Sequence, residues 1–336
     1  PESDSASFWR RYSKAAPPIA LLAPAYNEAM TIAEAVRSLL SVRYPDFEII
    51  VINDGSKDDT LKILIETFHL ELTHSRDYQL ITKHQPIRGL YTSPLHPRLL
   101  VVDKQNGGKS DALNAGLNLA TAPIVCSMDA DSLLEPDSLL RAVQPFLEDP
   151  ERVIAVGGTV RVANGCTIAD GRIVKIGAPK NLLALMQTVE YLRAFLMARI
   201  AWSQVGALTI ISGAFGLFRR TAVLEVGGYT HGTVGEDMEL VVKLHRHFRD
   251  LKKPYRIAFI NGWKMFEANA QGARVVNKVD KPEQLFRMLD EGRVDLVLYT
   301  HADGLLLARN LGLTSVAPLS PALKEVDMYL YLHKKH

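Results

Sequence analysis

An α/β fold with a mostly parallel sheet flanked by helices, carrying a small appended α/β unit, is predicted by three features of the sequence. Short continuous apolar runs alternate with segments of helical spacing from residue 19 to residue 128, aspartates stand at the ends of those runs, and the texture changes after Ile260. Strict alternation of strand and helix implies parallel strands joined by crossover helices, with ligands gathered at the carboxyl ends of the strands.

Residues 1–17 are polar and aromatic and run into Pro17-Pro18, which reads as a linker ahead of the fold. The first strand, 19–23, is stopped by Pro24, and residues 31–40 place Ile32, Val36, Leu39 and Leu40 at helical spacing. A second strand, 47–52, ends in Asn53-Asp54-Gly55-Ser56, after which Asp58-Asp59-Thr60 opens a helix with a cap and an acidic first turn. A histidine-containing stretch, 68–97, precedes a third strand over 98–102 and a third helix over 109–119. The fourth strand, 124–128, delivers Asp129-Ala130-Asp131, and a further strand is expected over 154–162.

Residues 182–202 predict a long amphipathic helix with Leu185, Val189, Leu192, Leu196 and Ile200 on one face, a stripe suited to a core, a partner helix or a membrane interface. The stretch 209–219 follows, through Ile211-Ser212-Gly213-Ala214-Phe215-Gly216, and a helix over 236–246 begins at Glu236-Asp237. Residues 261–336 read as strand, helix, strand, helix, strand, over 275–279, 282–291, 294–300, 305–311 and 328–332. Their own turn signals, Asp280-Lys281-Pro282 and Glu291-Gly292-Arg293, put a domain boundary near Ile260.

With 336 residues, 47% of them hydrophobic, the chain holds one large domain or two smaller ones. A net charge of +2 carries no nucleic-acid signature. The two cysteines, Cys126 in an apolar run and Cys166 beside Gly and Asn, suggest neither a disulfide framework nor a thiolate metal site and suit a reducing cytosol. No run approaches the roughly 18 uncharged apolar residues of a membrane span. The chain starts at Pro1 without a signal-like segment, which reads as a piece of a longer protein whose membrane helices lie outside it. Among the histidines, His69, His74, His84 and His96 have no i,i+4 partner, and His245 and His247 do not share a helix face, so surface positions are expected.

The chemistry-bearing residues are mostly acidic. A carboxylate pair one residue apart, as in Asp129 and Asp131, aims both side chains at one divalent cation where a strand gives way to a turn, and Ser132 with Glu135-Pro136 supplies that turn. Oxygen ligands suit Mg²⁺ or Mn²⁺, and such a cation suits a departing diphosphate; a loop of solvated charges is the plainer reading. With a metal serving the leaving group, one carboxylate suffices to accept a proton, and Asp237 is the candidate. Glu236 either joins it or serves as a helix-start charge. Lys109 follows Gly107-Gly108 at a helix start, where dipole and ammonium both favour an anionic nucleotide, although a solvated lysine is the ordinary alternative. Asp111 and Asn114, further along that helix, read as capping or functional residues alike.

Five ordered motifs, Pro24-Ala25-Tyr26-Asn27-Glu28, Asn53-Asp54-Gly55-Ser56-Lys57-Asp58-Asp59-Thr60, Asn106-Gly107-Gly108-Lys109-Ser110-Asp111-Ala112-Leu113-Asn114, Asp129-Ala130-Asp131 and Gly235-Glu236-Asp237, together resemble a family 2 inverting glycosyltransferase with the GT-A fold. The resemblance spans residues 18 to about 258. Residues 211–219 with Glu190-Tyr191-Leu192-Arg193 resemble the branch that includes poly-N-acetylglucosamine, cellulose and hyaluronan synthases, membrane enzymes that use UDP-sugars.

The resemblance implies a nucleotide-sugar site formed by Ala25, Tyr26, Glu28, Asp54, Lys109 and Asp129. Asp54 would accept the uracil imide N–H, or else is a common turn aspartate. Asp131 would ligate Mg²⁺ or Mn²⁺ directly, with Asp129 on the ribose or the metal. Asp237 and Glu236 would form the catalytic pair, and Ser212, Gly213 and Ala214 the acceptor floor. The expected activity moves a hexose or N-acetylhexosamine from a UDP-sugar to a growing glycan at the cytoplasmic face of the inner membrane.

The family's Gln-x-x-Arg-Trp element has no counterpart after Glu236-Asp237, so a second expectation is a nucleotide-sugar-binding, inert fragment. Residues 261–336 resemble part of one lobe of a type 2 periplasmic solute-binding protein. That resemblance implies an extracytoplasmic compartment, a composite chain joined near Ile260 and, as a third reading, a solute-binding module.

Overall fold

A computed structural model of the chain describes residues 15–73, 78–160, 199–233 and 235–260, with short pieces between residues 163 and 187 and between 283 and 313. The chain divides into two compact units, Pro1–Phe266 and Glu267–His336. The elements expected over 275–332 lie almost wholly outside the described residues, as does most of the helix expected over 182–202.

In the first unit the described strands are β1 (Ile19–Ala25), β2 (Phe47–Asn53), β3 (Glu71–Thr73), β4 (Ile87–Thr92), β5 (Leu99–Lys104), β6 (Ile124–Ser127), β7 (Val153–Gly157), β8 (Thr167–Ala169), β9 (Arg172–Lys175), β10 (Gly216–Arg219) and β11 (Arg256–Phe259). The helices are α1 (Ile32–Leu40), α2 (Thr60–Phe68), α3 (Lys109–Leu119), α4 (Ser138–Glu148), α5 (Arg199–Gln204), α6 (Arg220–Glu225) and α7 (Glu236–Asp250). Nine strands form one sheet in the order β11-β7-β10-β6-β1-β2-β5-β4-β3, while β8 and β9 pair separately. The centre, β6-β1-β2-β5, is parallel throughout. On one side β10 runs antiparallel between β6 and β7; on the other, β4 and β3 close the sheet as antiparallel strands.

The central strands read as unbroken apolar runs because both of their faces are covered. Ile19, Leu21 and Ala23 of β1 pack with Ile49 and Val51 of β2 against α1, α2 and α4. Ala20 and Leu22 pack with Ile50 and Ile52 against α3, α6 and α7. A three-layer sandwich follows, with the sheet between two helical layers.

Several boundaries depart from the sequence reading. The strand expected over 154–162 stops at Gly157, because Gly157 faces Gly216, the first residue of β10, and Phe259, the last of β11; beyond it neither neighbour offers a partner. Helix α4 was not anticipated, although Leu139, Leu140, Val143 and Phe146 form its buried stripe. Strand β4 was also missed, since only Leu90 of its six residues is buried and no apolar run marks it. His245 is buried rather than on the surface, bonded to the Tyr255 hydroxyl at 2.7 Å and the Leu208 carbonyl at 2.8 Å.

Candidate active site

The parallel registers bring the ends of β1, β2, β5 and β6 to one edge of the sheet, and antiparallel β10 starts at that same edge with Gly216 beside Ser127. The loops after Ala25, Asn53, Lys104 and Ser127, and the turn before β10, therefore line a single rim.

The first two loops are fastened to each other. Asn27, at a left-handed φ of 58°, donates its N–H to the Ser56 hydroxyl at 3.0 Å and accepts from the Lys57 N–H at 2.8 Å. The Glu28 N–H reaches the Thr60 hydroxyl at 2.8 Å, and the Ala25 carbonyl accepts from the Asp54 N–H at 2.9 Å. The Glu28 carboxylate takes the Thr31 hydroxyl at 2.9 Å, a helix-start contact, while the Tyr26 ring stays 44% exposed on the rim. Of the cap and acidic first turn expected at Asp58-Asp59-Thr60, the first turn of α2 carries no acidic residue and Asp59 makes no capping bond. Asp58 instead accepts from the Thr60 N–H at 3.1 Å and from the Ala29 N–H at 3.1 Å, ordering helix and loop together.

Asp54 is bonded on all sides within the protein. Its buried carboxylate accepts from the Lys104 ammonium at 2.6 Å, the Asn106 amide at 3.1 Å, and the Gly107 and Gly108 N–H groups at 3.1 and 2.7 Å. A carboxylate has about four acceptor positions, and these four donors engage them within the protein. Asp54 holds the Asn106–Gly108 turn in place. Gly107 is confined there: a Cβ on it would lie 2.4 Å from Cγ of Asp111, and Gly108 adopts φ 88°.

Lys104, fully buried, also contacts Asp111, whose other oxygen meets the His231 ring at 2.8 Å and whose carboxylate accepts the Gln85 N–H at 3.0 Å. Burial raises the Asp111 pKa, but bonds from Lys104, Gln85 and His231 and the Lys104 charge outweigh it, holding the carboxyl below the usual range. Neither Asp111 nor Asn114 caps α3. Asn114 pairs with both backbone groups of Tyr229, accepting at 2.8 Å and donating at 2.9 Å, and Asn118 accepts from the Thr82 N–H at 3.0 Å. These three residues, spaced i, i+3, i+7, form a buried polar stripe that fastens the segments around Thr82–Gln85 and Tyr229–His231 to α3.

The second of those segments leads into α7, whose first turn carries Glu236, Asp237 and Glu239, an acidic start that suits the helix dipole. Glu236, from the start of α7, and Asp129, from the loop after β6, meet at Lys109, the first residue of α3. Its ammonium lies 2.5 Å from Oδ1 of Asp129 and 3.0 Å from Oε1 of Glu236. Burial lowers the Lys109 pKa, but its bonds to and the charges of Asp129 and Glu236 prevail and raise it above the ordinary lysine value. Asp237 accepts the Gly213 N–H at 3.1 Å and its neighbour Met238's N–H at 2.8 Å. Ser212, Gly213 and Ala214 form the turn before β10, with Phe215 N–H bonding Ser212 O at 3.1 Å. The Ser132 N–H closes a turn onto Asp129 O at 3.0 Å, and Asp131 beyond it is exposed, with no bonded partner among the described residues.

The structure thus gathers Lys109, Asp129, Glu236, Asp237 and Gly213 at one place and puts Tyr26 and Glu28 on the neighbouring loop. Sequence reasoning missed Lys104, Asn118 and His231; of these, only Asn118 had a visible signal, the polar spacing along α3. The donor chemistry fits a divalent cation. No group of three His, Cys, Asp or Glu side chains is poised for a metal among the described residues, yet Mg²⁺ is commonly held by one or two carboxylates plus substrate phosphates. Two carboxylate oxygens converging on one ammonium are such a pair.

The sequence profile described as "Glycosyl transferase family 2" matches residues 21–227, more than half of the chain. The chain belongs to glycosyl transferase family 2. Within that family it is 29% identical over 234 residues to a poly-beta-1,6-N-acetyl-D-glucosamine synthase of Staphylococcus epidermidis, covering 70% of this chain and 47% of that protein. It is 30% identical over 268 residues to the synthase of the same name from Staphylococcus aureus strain COL, covering 77% of this chain and 55% of that protein. This family 2 chain therefore spans about half the length of the curated relatives it matches. Among solved structures it is similar to the mannosyltransferase PcManGT from Pyrobaculum calidifontis, in complex with GDP-Man and Mn²⁺, at 19% identity and TM-score 0.49 over 92% of this chain and 77% of that one. Among the described residues of the family 2 chain, no helix is long and apolar enough to cross a membrane.

Proposed function

We propose that this family 2 domain transfers a hexose or N-acetylhexosamine from a UDP-sugar to a growing glycan, with a divalent cation and inversion at the anomeric carbon. The observation that carries the reading is the convergence of Asp129, Glu236 and Asp237 at one edge of the sheet, beside the turn at Gly213. The relatives' names point to N-acetylglucosamine as the sugar and a polysaccharide as the acceptor. Use of a UDP-sugar assigns the work of the site to the cytoplasmic side.

Asp129 and Asp131, with Glu236 beside them, would hold Mg²⁺ or Mn²⁺. Bound there, the cation would neutralise charge gathering on the departing diphosphate. Tyr26 and the Ala25 backbone would line the nucleoside pocket, and Ser212, Gly213 and Ala214 the acceptor side. The acceptor hydroxyl oxygen bonds to the anomeric carbon while the bond from that carbon to the diphosphate breaks, its electron pair leaving with UDP. The hydroxyl proton passes to Asp237, whose carboxylate is steadied by the Gly213 N–H. An alcohol is far less acidic than a carboxylic acid, so proton transfer accompanies attack, and a single displacement inverts the centre.

Calorimetric titration of UDP with and without Mn²⁺, on this chain and on Asp131→Ala, tests the binding half. Metal-dependent affinity that is lost in the variant supports the site; metal-independent binding in both leaves a nucleotide-binding fragment. Asp237→Asn tests the chemical half, with UDP-sugar turnover expected to fall about 10²–10⁴-fold while UDP affinity is kept.

A further inference from the structure

The acidic rim contains its own cation. The Lys109 ammonium sits between Asp129 and Glu236, 2.5 and 3.0 Å from their oxygens, where two carboxylates offered to a metal would otherwise face each other. We propose that Lys109 is an exchangeable internal counter-ion that occupies the cation seat between Asp129 and Glu236 and leaves it when nucleotide and metal arrive together. The inference rests on the metal-dependent reading above.

Two features make the ammonium able to leave. Its side chain is 35% exposed, on a flexible four-carbon stem with no other partner among the described residues. It also springs from the first residue of α3, a helix start whose N–H groups and dipole favour phosphate oxygens, so a diphosphate gives it a second anion within reach. A third feature shows that the seat is shaped for it. A Cβ on Gly213 would lie 2.7 Å from the Lys109 Nζ, so the ammonium holds its present position in room that a side chain at residue 213 would take.

The consequence is ordered, coupled binding. Without nucleotide, a divalent ion must first break both lysine pairs, which weakens its binding. With a diphosphate present, Lys109 has an alternative partner and both carboxylates are released. By linkage, whatever the nucleotide does for the metal the metal does for the nucleotide.

Mn²⁺ titrated into nucleotide-free full chain, as wild type, Lys109→Gln and Gly213→Ala, tests this. Both variants are expected to bind Mn²⁺ about tenfold more tightly than wild type, the scale of releasing two part-exposed ion pairs. The second variant is decisive, since it crowds the ammonium out of its seat without changing any charge. Tightening in Lys109→Gln alone would reduce the lysine to simple like-charge repulsion and overturn the proposal. Equal Mn²⁺ affinity in all three overturns it while leaving the metal-dependent reading intact. Absence of Mn²⁺ binding in all three, with UDP present as well, overturns both.

Discussion

Two lysines five residues apart are each clamped between two carboxylates, and they behave differently because of burial. Lys104 lies between Asp54 and Asp111 with side chains 0, 3 and 2% exposed; Lys109 lies between Asp129 and Glu236 with side chains 35, 37 and 18% exposed. Around Lys104 the spare carboxylate positions are filled by the N–H groups of Gly107, Gly108 and Gln85. Around Lys109 such filling is sparse: no other bond to Asp129's carboxylate or to Glu236's is present among the described residues. A fully desolvated, fully bonded cluster is costly to open and fixes geometry, whereas a half-wet one exchanges partners. The same motif thus serves once as a foundation beneath the site and once as its movable part.

The sharpest way to break this comparison is Lys104→Met. With the cation gone, Asp54 and Asp111 are left as uncompensated buried charges, and unfolding by denaturant should show a loss of about 3–5 kcal/mol. A loss below about 1 kcal/mol would mean that the buried cluster is no foundation. Asn114→Ala strips partners from the Tyr229 N–H and C=O and should cost about 2 kcal/mol in the same assay. It should also loosen the Tyr229–His231 segment in hydrogen exchange.

Acid titration separates the clusters in another way. Because the folded Asp111 pKa lies below its unfolded value of about 3.9, its contribution is fully present above pH 4 and disappears as pH falls through the folded pKa. Asp111→Asn lacks that contribution, so between pH 4 and pH 2 its stability should fall less steeply than that of wild type. Smallest of all should be Lys109→Gln, a change in unfolding free energy within about 1 kcal/mol. A larger loss would make the exposed cluster structural too and erase the distinction.

Much of the site was readable in the chain. Apolar runs ending in Asp54 and Asp129 marked the rim because parallel strands buried on both faces have that texture, and Gly107-Gly108-Lys109 marked the helix start. The acidic pair at Glu236 was visible, but not that Glu236 would share a lysine with Asp129. Lys104 looked like an ordinary charge at the end of a strand, and His231 like an unremarked loop residue. Their importance depends on contacts from residues 50 and 120 positions away, which no local pattern records. The bonds of Asp54 were hidden for the same reason: its type suits a base contact or a turn, and only the fold shows the Lys104 ammonium and the Asn106–Gly108 turn gathered on its carboxylate.

The sequence by itself determined the alternation of strand and helix, the carboxylates at strand ends and membership of a glycosyl transfer family, since period, polarity and motif order are properties of the chain. Tertiary structure alone decided which lysine is sealed in and which stays at the surface. That choice follows from strand register and from how closely the turn at Gly213 approaches α3, and burial in turn sets the difference in desolvation that separates a fixed ion cluster from an exchangeable one.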